Sequence, residues 1–248
     1  LGDVYKRQGE GKMPEPEVLL SYILRELAHE KDMKGLKVCV TAGPTRETID
    51  PVRFISNRST GKMGFALAKN AMERGADVTL VSGPVELKDV PFVKMVHVES
   101  ARQMFEAVTK EAETADIIVK AAAVADYRPA VVADEKIKKK DGDMSIALER
   151  TDDIIGTLGK TKRDNLFLCG FSMETEHMLE NSKAKLEKKN LDMIIANNVK
   201  VKGAGFGTDT NVVTLITKDE IKELPIMSKE DVADEIFNNI LANRKGIV

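Results

Sequence analysis

At 248 residues the chain is long enough for one large α/β domain or one domain with extensions, and 42% hydrophobic with 31% charged residues is the balance of a soluble globular protein. Its net charge of −2 gives no general drive toward nucleic acid or anionic membrane, and no apolar run approaches the roughly 20 residues of a membrane span. Two cysteines in apolar runs and three scattered histidines leave no metal-ligand spacing, so buried reduced thiols in a reducing cytoplasm are the expectation.

In chain order, residues 1–8 join no hydrophobic pattern and read as a stray leader. Residues 9–17 have linker composition and precede a short helix over about 18–30. Together, residues 9–33 are expected to be the remnant of something upstream, with the main domain spanning 34–248. The apolar run 37–43 predicts a strand, residues 53–64 a loop, and 65–74 an amphipathic helix. Strands follow over 76–83 and 92–98, then a helix over 101–113. The run 116–124 is almost continuously apolar, as a strand covered on both faces should be. A polar segment, 126–143, interrupts the order. A short strand is expected over 144–149, a capped helix over 152–159, a strand over 166–171, a helix over 175–189 and a strand over 192–197. Residues 211–217 and 220–224 read as a hairpin around Lys218 and Asp219, and 229–243 as a closing amphipathic helix. This alternation predicts an α/β, Rossmann-like, doubly wound and mostly parallel sheet with a small antiparallel extension. Ligands of such sheets sit outside the carboxyl ends of the strands. That singles out residues 43–45, 122–126, 171–174 and 196–199.

The most informative stretch is Arg53-Phe-Ile-Ser-Asn57-Arg-Ser-Thr-Gly61-Lys62-Met-Gly64. A strand, a loop of small hydrogen-bonding residues and a helix start form an anion site, because unpaired N–H groups and the positive end of the helix dipole converge there. The bland alternative is an ordinary turn with a Ser59 or Thr60 cap. A Walker A loop is excluded because Met63 follows Gly61-Lys62, where a hydroxyl should hold magnesium. A dinucleotide fingerprint is also missing: only Gly43 follows the first strand, and the second ends without a carboxylate, which disfavours a nicotinamide oxidoreductase.

The second notable segment is Asp134-Glu-Lys136-Ile-Lys138-Lys139-Lys140-Asp-Gly142-Asp. It reads either as a solvated loop or as a flap that brings ammonium groups onto a polyphosphate. Its place soon after the strand end at Asp126 favours the flap. Lys185 and Lys189 are spaced to share one helix face.

Residues 41–64, beginning Thr41-Ala-Gly-Pro-Thr-Arg-Glu, closely resemble the signature of the phosphopantothenate–cysteine ligase family. Ala122-Ala-Val-Ala-Asp126-Tyr127 and Lys136-Ile-Lys-Lys139 resemble two further motifs of that family, in the same order. The likeness covers about 34 to the C-terminus. In bacteria this ligase is the C-terminal half of a bifunctional coenzyme A biosynthesis protein, and residues 9–17 look like the tail of its flavin-dependent (FMN) decarboxylase domain, which would decarboxylate the product. The resemblance implies a CTP-dependent joining of 4′-phosphopantothenate to L-cysteine through an acyl-cytidylate, with Mg²⁺ carried mainly by the triphosphate, and a homodimer for which the 211–224 hairpin could be the seam. No nucleic-acid or membrane partner is implied. By the same resemblance Lys136 would neutralise the triphosphate, and Asn57, with Arg53 nearby, would hold the acyl-cytidylate for attack by cysteine. Ser59, Thr60 and Gly61 would cradle phosphate. Ala121, Ala122, Asp126, Asp152, Asp153, Ile154, Ile155, Phe171, Lys185 and Lys189 would contact the nucleotide, and no protein side chain is assigned to a metal. Each has a plainer role open to it: a turn cap for Asn57, core for Phe171, a strand-end turn for Asp126. The chain departs from the family at Thr60, where a second serine is common, and at Lys120, where a small residue is common. A different class of function, a nucleotide-binding module that regulates a fused decarboxylase without catalysis, fits the same motifs.

Overall fold

A computed structural model of the chain describes residues 13–139, 143–174, 178–198 and 207–244. The expected leader over 1–8 lies outside them, as does Lys140 of the lysine run. Helix α1 (Pro16–Leu27) starts at a proline in its first turn and buries none of its residues, ending three residues before the expected boundary. Its Tyr22 meets Phe92 edge to face at 4.7 Å. The main sheet then opens with β1 (Lys37–Ala42). The chain continues through β2 (Arg46–Asp50), β3 (Arg53–Ser56), α2 (Lys62–Glu73), β4 (Asp77–Ser82), β5 (Lys94–His97), α3 (Ala101–Ala112) and β6 (Ile117–Lys120). Next come β7 (Tyr127–Pro129), β8 (Leu148–Arg150), α4 (Ile154–Lys160), β9 (Phe167–Glu174), α5 (Met178–Lys188) and β10 (Met193–Asn198). Four short strands, β11 (Thr210–Asn211), β12 (Val213–Thr217), β13 (Ile221–Glu223) and β14 (Met227–Ser228), precede α6 (Lys229–Asn243).

The eight-stranded sheet runs β13-β12-β10-β9-β6-β1-β4-β5. The strands from β10 to β5 are parallel, and β12 and β13 add the antiparallel extension. The chain winds outward from β1 in both directions, so β1 and β6 flank the switch point where open α/β sheets leave a crevice. Period-two alternation builds a core on each face. Val38 and Val40 of β1, Ile117 and Val119 of β6, and Met193 and Ile195 of β10 pack with α2 and α6. Cys39, Ile118 and Ile194 point the other way, toward residues of α3, α4 and α5.

Three expectations are corrected. Residues 53–64 are not all loop, because Arg53–Ser56 pairs antiparallel with β2. The turn between them is tied by the Asp50 carboxylate, whose Oδ1 accepts from the Val52 and Arg53 amides at 2.9 Å each. The strand expected to reach 124 stops at Lys120, since Ala122 and Ala125 donate to the hydroxyls of Thr41 and Thr45 at 3.0 Å and Ala123 donates to Gly43 O at 2.9 Å. Small residues let this segment leave the ladder and lie on the loop after β1. The strand expected at 144–149 is instead Leu148–Arg150, paired with a strand at Tyr127–Pro129 that the sequence did not announce. Elsewhere boundaries shift by a few residues. The start of the helix expected over 175–189 falls partly outside the described residues, and α6 matches its expected span.

Candidate nucleotide site

A cavity of about 740 Å³ opens outside the carboxyl ends of β6, β9 and β10; residues 43–45 after β1, expected at the cleft, do not line it. Its first wall is the turn into α2. Gly61 is the N-cap residue at φ 79°, and no side chain caps the helix. Left-handed backbone there suits glycine, and the amides of the first turn stay open to an anion. The Ser59 hydroxyl takes the Gly61 amide at 3.3 Å, so it shapes the turn without occupying the helix start. Gly64 lets α2 approach β1 closely: a Cβ there would stand 2.5 Å from Ala42 Cβ and 2.8 Å from Thr41 O. Asn57 donates from Nδ2 to Ala123 O at 2.9 Å, which stitches the turn to the segment after β6. Its amide oxygen makes no hydrogen bond with a described residue.

That segment forms the floor, with Lys120, Ala121, Ala122 and Asp126 lining the cavity. The opposite wall is the start of α4. Asp153 caps it by accepting from the Gly156 amide at 3.1 Å, and Asp152, Ile154 and Ile155 line the cavity beside it. Lys189, just past α5, pairs with Asp153 at 3.0 Å. Desolvation works to raise the Asp153 carboxyl, but the hydrogen bond and charge of Lys189 and the Gly156 amide outweigh it and hold it below its ordinary value. Phe171 and Lys185 complete this side.

Fourteen residues named from the sequence therefore converge on one cavity: Asn57, Ser59, Thr60, Gly61, Ala121, Ala122, Asp126, Asp152, Asp153, Ile154, Ile155, Phe171, Lys185 and Lys189. Arg53 and Lys136 do not line it. Arg53 binds Asp50 Oδ2 through Nε at 3.0 Å and Nη2 at 2.5 Å, and Nη2 also donates to Ile137 O at 3.0 Å. The Ile137 amide returns to Asp50 Oδ2 at 3.1 Å. The buried Asp50 carboxylate thus fastens the lysine segment to the β2–β3 hairpin. The Arg53 hydrogen bond, helped by the amides of Val52, Ile137 and Arg53, holds its carboxyl well below the usual carboxylate range. Lys136, one residue before the latch, is exposed.

Asn197, within the 196–199 stretch that the sequence singled out but to which it gave no role, lines the cavity nearly buried, with an Oδ1 that has no hydrogen-bond partner. Such an orphan acceptor is costly unless a ligand or water donates to it. Its one signal was its place at a strand end. Among the described residues no set of three or more His, Cys, Asp or Glu side chains could hold a metal. Burial pushes the Cys39 thiol up to about 12 and Cys169 well above its ordinary value, and neither lines the cavity. No described helix is long and apolar enough to cross a membrane.

Comparison with known proteins agrees with this layout. The family model of the DNA/pantothenate metabolism flavoprotein C-terminal domain matches residues 33–243. The coenzyme A biosynthesis bifunctional protein CoaBC of Bacillus subtilis (strain 168) is 49% identical over 242 residues, which cover 96% of this chain and 59% of that protein. The chain therefore spans less than two thirds of that relative's length. A crystal structure of the C-terminal domain of CoaBC superposes with a TM-score of 0.72 at 44% identity, covering 84% of this chain and 95% of that one. A Cab2 mutant in complex with phosphopantothenate-cysteine shares the fold, with a TM-score of 0.68 at 16% identity over 94% of this chain and 96% of that one. With the cleft, the three motifs and these likenesses together, the chain belongs to the DNA/pantothenate metabolism flavoprotein C-terminal domain family, the phosphopantothenate–cysteine ligase part of the CoaBC proteins.

Proposed function

We propose that this chain joins 4′-phosphopantothenate to L-cysteine at the expense of CTP. The substrate carboxylate attacks the α-phosphorus of CTP. The bond to the β-phosphate breaks, and pyrophosphate leaves with its electrons. The cysteine amine then attacks the acyl carbon, CMP departs with the bonding pair, and the amine loses a proton as the amide forms. No protein nucleophile is needed, so catalysis consists of positioning and charge stabilisation.

The observation that carries this reading is the convergence, in one cavity at the switch point, of an uncapped helix start, the Asn57 amide and a lysine-bearing wall. The open amides of α2 would take phosphate oxygens, and the walls at Asp126, Asp152–Ile155 and Phe171 would hold the nucleoside. Asn57, pinned through Nδ2, would offer its free oxygen to an N–H of the incoming cysteine amine, orienting the nitrogen lone pair toward the acyl carbon. Lys136 would reach the triphosphate when its segment folds over the cavity, with Asp50 and Arg53 as the hinge point. The residues present fit a metal carried on the triphosphate rather than one held by protein carboxylates, since Mg²⁺ keeps most of its waters and needs few protein ligands. Bound there, it would screen the phosphate charge. The kinship with CoaBC and the phosphopantothenate-cysteine bound by the Cab2 mutant support the choice of substrates.

The test is a nucleotide-preference assay on the purified chain with 4′-phosphopantothenate and cysteine, following pyrophosphate with each triphosphate in turn. CTP-dependent release that requires phosphopantothenate is the expected result. CTP bound but never consumed would instead identify a binding module.

A further inference from the structure

The proposed reaction gives no role to the cation on the floor of the cleft. Lys120 closes β6, the strand at the switch point, with Thr41 of β1 and Gly170 of β9 as its register partners. Two residues beyond Ile118, it lies on the sheet face that carries α4 and α5. Gly170 keeps the neighbouring space narrow, since a Cβ there would stand 2.6 Å from Ile155 Cδ1. The Lys120 side chain is therefore directed along the sheet face into the cavity floor, half-buried and lining the cavity.

Its electrostatic neighbours are Asp126 from the segment after β6, Asp153 from the cap of α4, and Lys185 and Lys189 from α5 and its end. β1 and β9 bring no titratable group at the register positions, Thr41 and Gly170. Asp153 is already engaged by Lys189 at 3.0 Å. The Lys120 ammonium makes no hydrogen bond or salt bridge with a described residue. A desolvated ammonium without a partner is unfavourable, and a ligand oxyanion would repay that cost more fully than solvent does. A purely structural lysine in this place would be expected to pair with Asp126 or Asp153.

We infer that Lys120 is a phosphate-binding residue on the floor of the cleft, its ammonium donating to a phosphate oxygen of the bound nucleoside triphosphate. Charge is thereby neutralised from below by a residue fixed in the sheet, as well as from above by the lysine segment. The inference rests on the nucleotide reading of the cavity and adds a recognition residue to it. Burial, reinforced by Lys189 and Lys185 and opposed by Asp126 and Asp153, lowers Lys120 to about 8. In the free protein the group is charged below that pH and loses its proton as pH rises through it.

The experiment is equilibrium binding of CTP and of cytidine to the 248-residue chain, comparing wild type, Lys120→Met and Lys120→Arg, with a thermal melt on each. Lys120→Met keeps the stem's shape and removes the charge. It should weaken CTP roughly ten- to a hundredfold while leaving cytidine unchanged, as expected for loss of one charge-assisted hydrogen bond. Wild-type affinity for CTP should fall as pH rises through about 8, and Lys120→Arg should remove that fall. Equal CTP affinity in wild type and both variants, or an equal loss for cytidine, overturns the assignment alone. Failure of wild type to bind CTP at all overturns it together with the nucleotide reading.

Discussion

The turn at the start of α2 lines the cleft and the lysine segment at 134–139 does not, and these two cationic parts of the proposed site are held in different ways. The turn is fixed by the main chain: β1 lies beneath it, Gly64 presses on Ala42, and Asn57 binds the backbone at Ala123. The lysine segment hangs from a point, with the Asp50 carboxylate and the Arg53 guanidinium gripping the N–H and C=O of Ile137 while Lys136 stays exposed. A site that must bind before it reacts gains from this division, because one wall can be preorganised while the other closes.

The comparison can be broken most strongly from the hanging side. Lys136→Gln should lower pyrophosphate release by roughly 10²–10³-fold, the range seen when one preorganised charge-stabilising donor is removed. CTP binding by the fixed wall should survive, and the melting temperature should not move. Asn57→Asp should still release pyrophosphate but accumulate acyl-cytidylate. Its transfer to cysteine should slow by roughly tenfold to a hundredfold, because a carboxylate cannot reproduce the amide's bond to Ala123 O.

Gly64→Val tests the fixed wall. Its Cβ meets Ala42 Cβ and Thr41 O at contact distances no side chain tolerates, so α2 must lift from β1. A loss of about 1–3 kcal/mol is expected in denaturant unfolding, by the usual cost of overpacking, together with loss of CTP binding. Asp50→Asn should act more gently, through the latch. It should lower kcat for pyrophosphate release roughly several-fold to tenfold with KM for CTP little changed, as a loss of positioning does. The pH sign is fixed by the depressed Asp50 carboxyl. Its contribution to stability is complete above the unfolded value near about 4, and is lost only as pH falls well below that toward the folded value. Acid unfolding of Asp50→Asn should lack this component. The smallest effect is at the thiols: with burial holding Cys39 and Cys169 protonated, native protein should react with a thiol reagent near pH 8 only at the rate of unfolding.

What was legible in the sequence divides along similar lines. The parallel strands and α6 were readable because their apolar periodicity is local and strong. So was the glycine turn, where residue type and spacing carry the chemistry. The β2–β3 hairpin was missed because Arg46–Asp50 and Arg53–Ser56 are short and show no clean apolar alternation. Its stability comes from Asp50 bonds to its own turn and from distant partners, such as Glu47 accepting the Ala101 amide at 2.8 Å. The latch between Asp50, Arg53 and Ile137 joins residues more than eighty positions apart, a pairing no local pattern encodes. The early end of β6 at Lys120 was hidden by the apolar run that continues past it, although its cause, hydrogen bonding to Thr41 and Thr45, is visible once the loops are juxtaposed.

The most direct test is chemical. Wild-type protein incubated with α-labelled CTP and 4′-phosphopantothenate, with cysteine withheld, should form a phosphopantothenoyl-cytidylate that mass spectrometry detects. Adding cysteine should discharge it to CMP, and Lys136→Gln should not form it. Release of pyrophosphate without phosphopantothenate, or label that stays in intact CTP however long the mixture stands, would contradict the account.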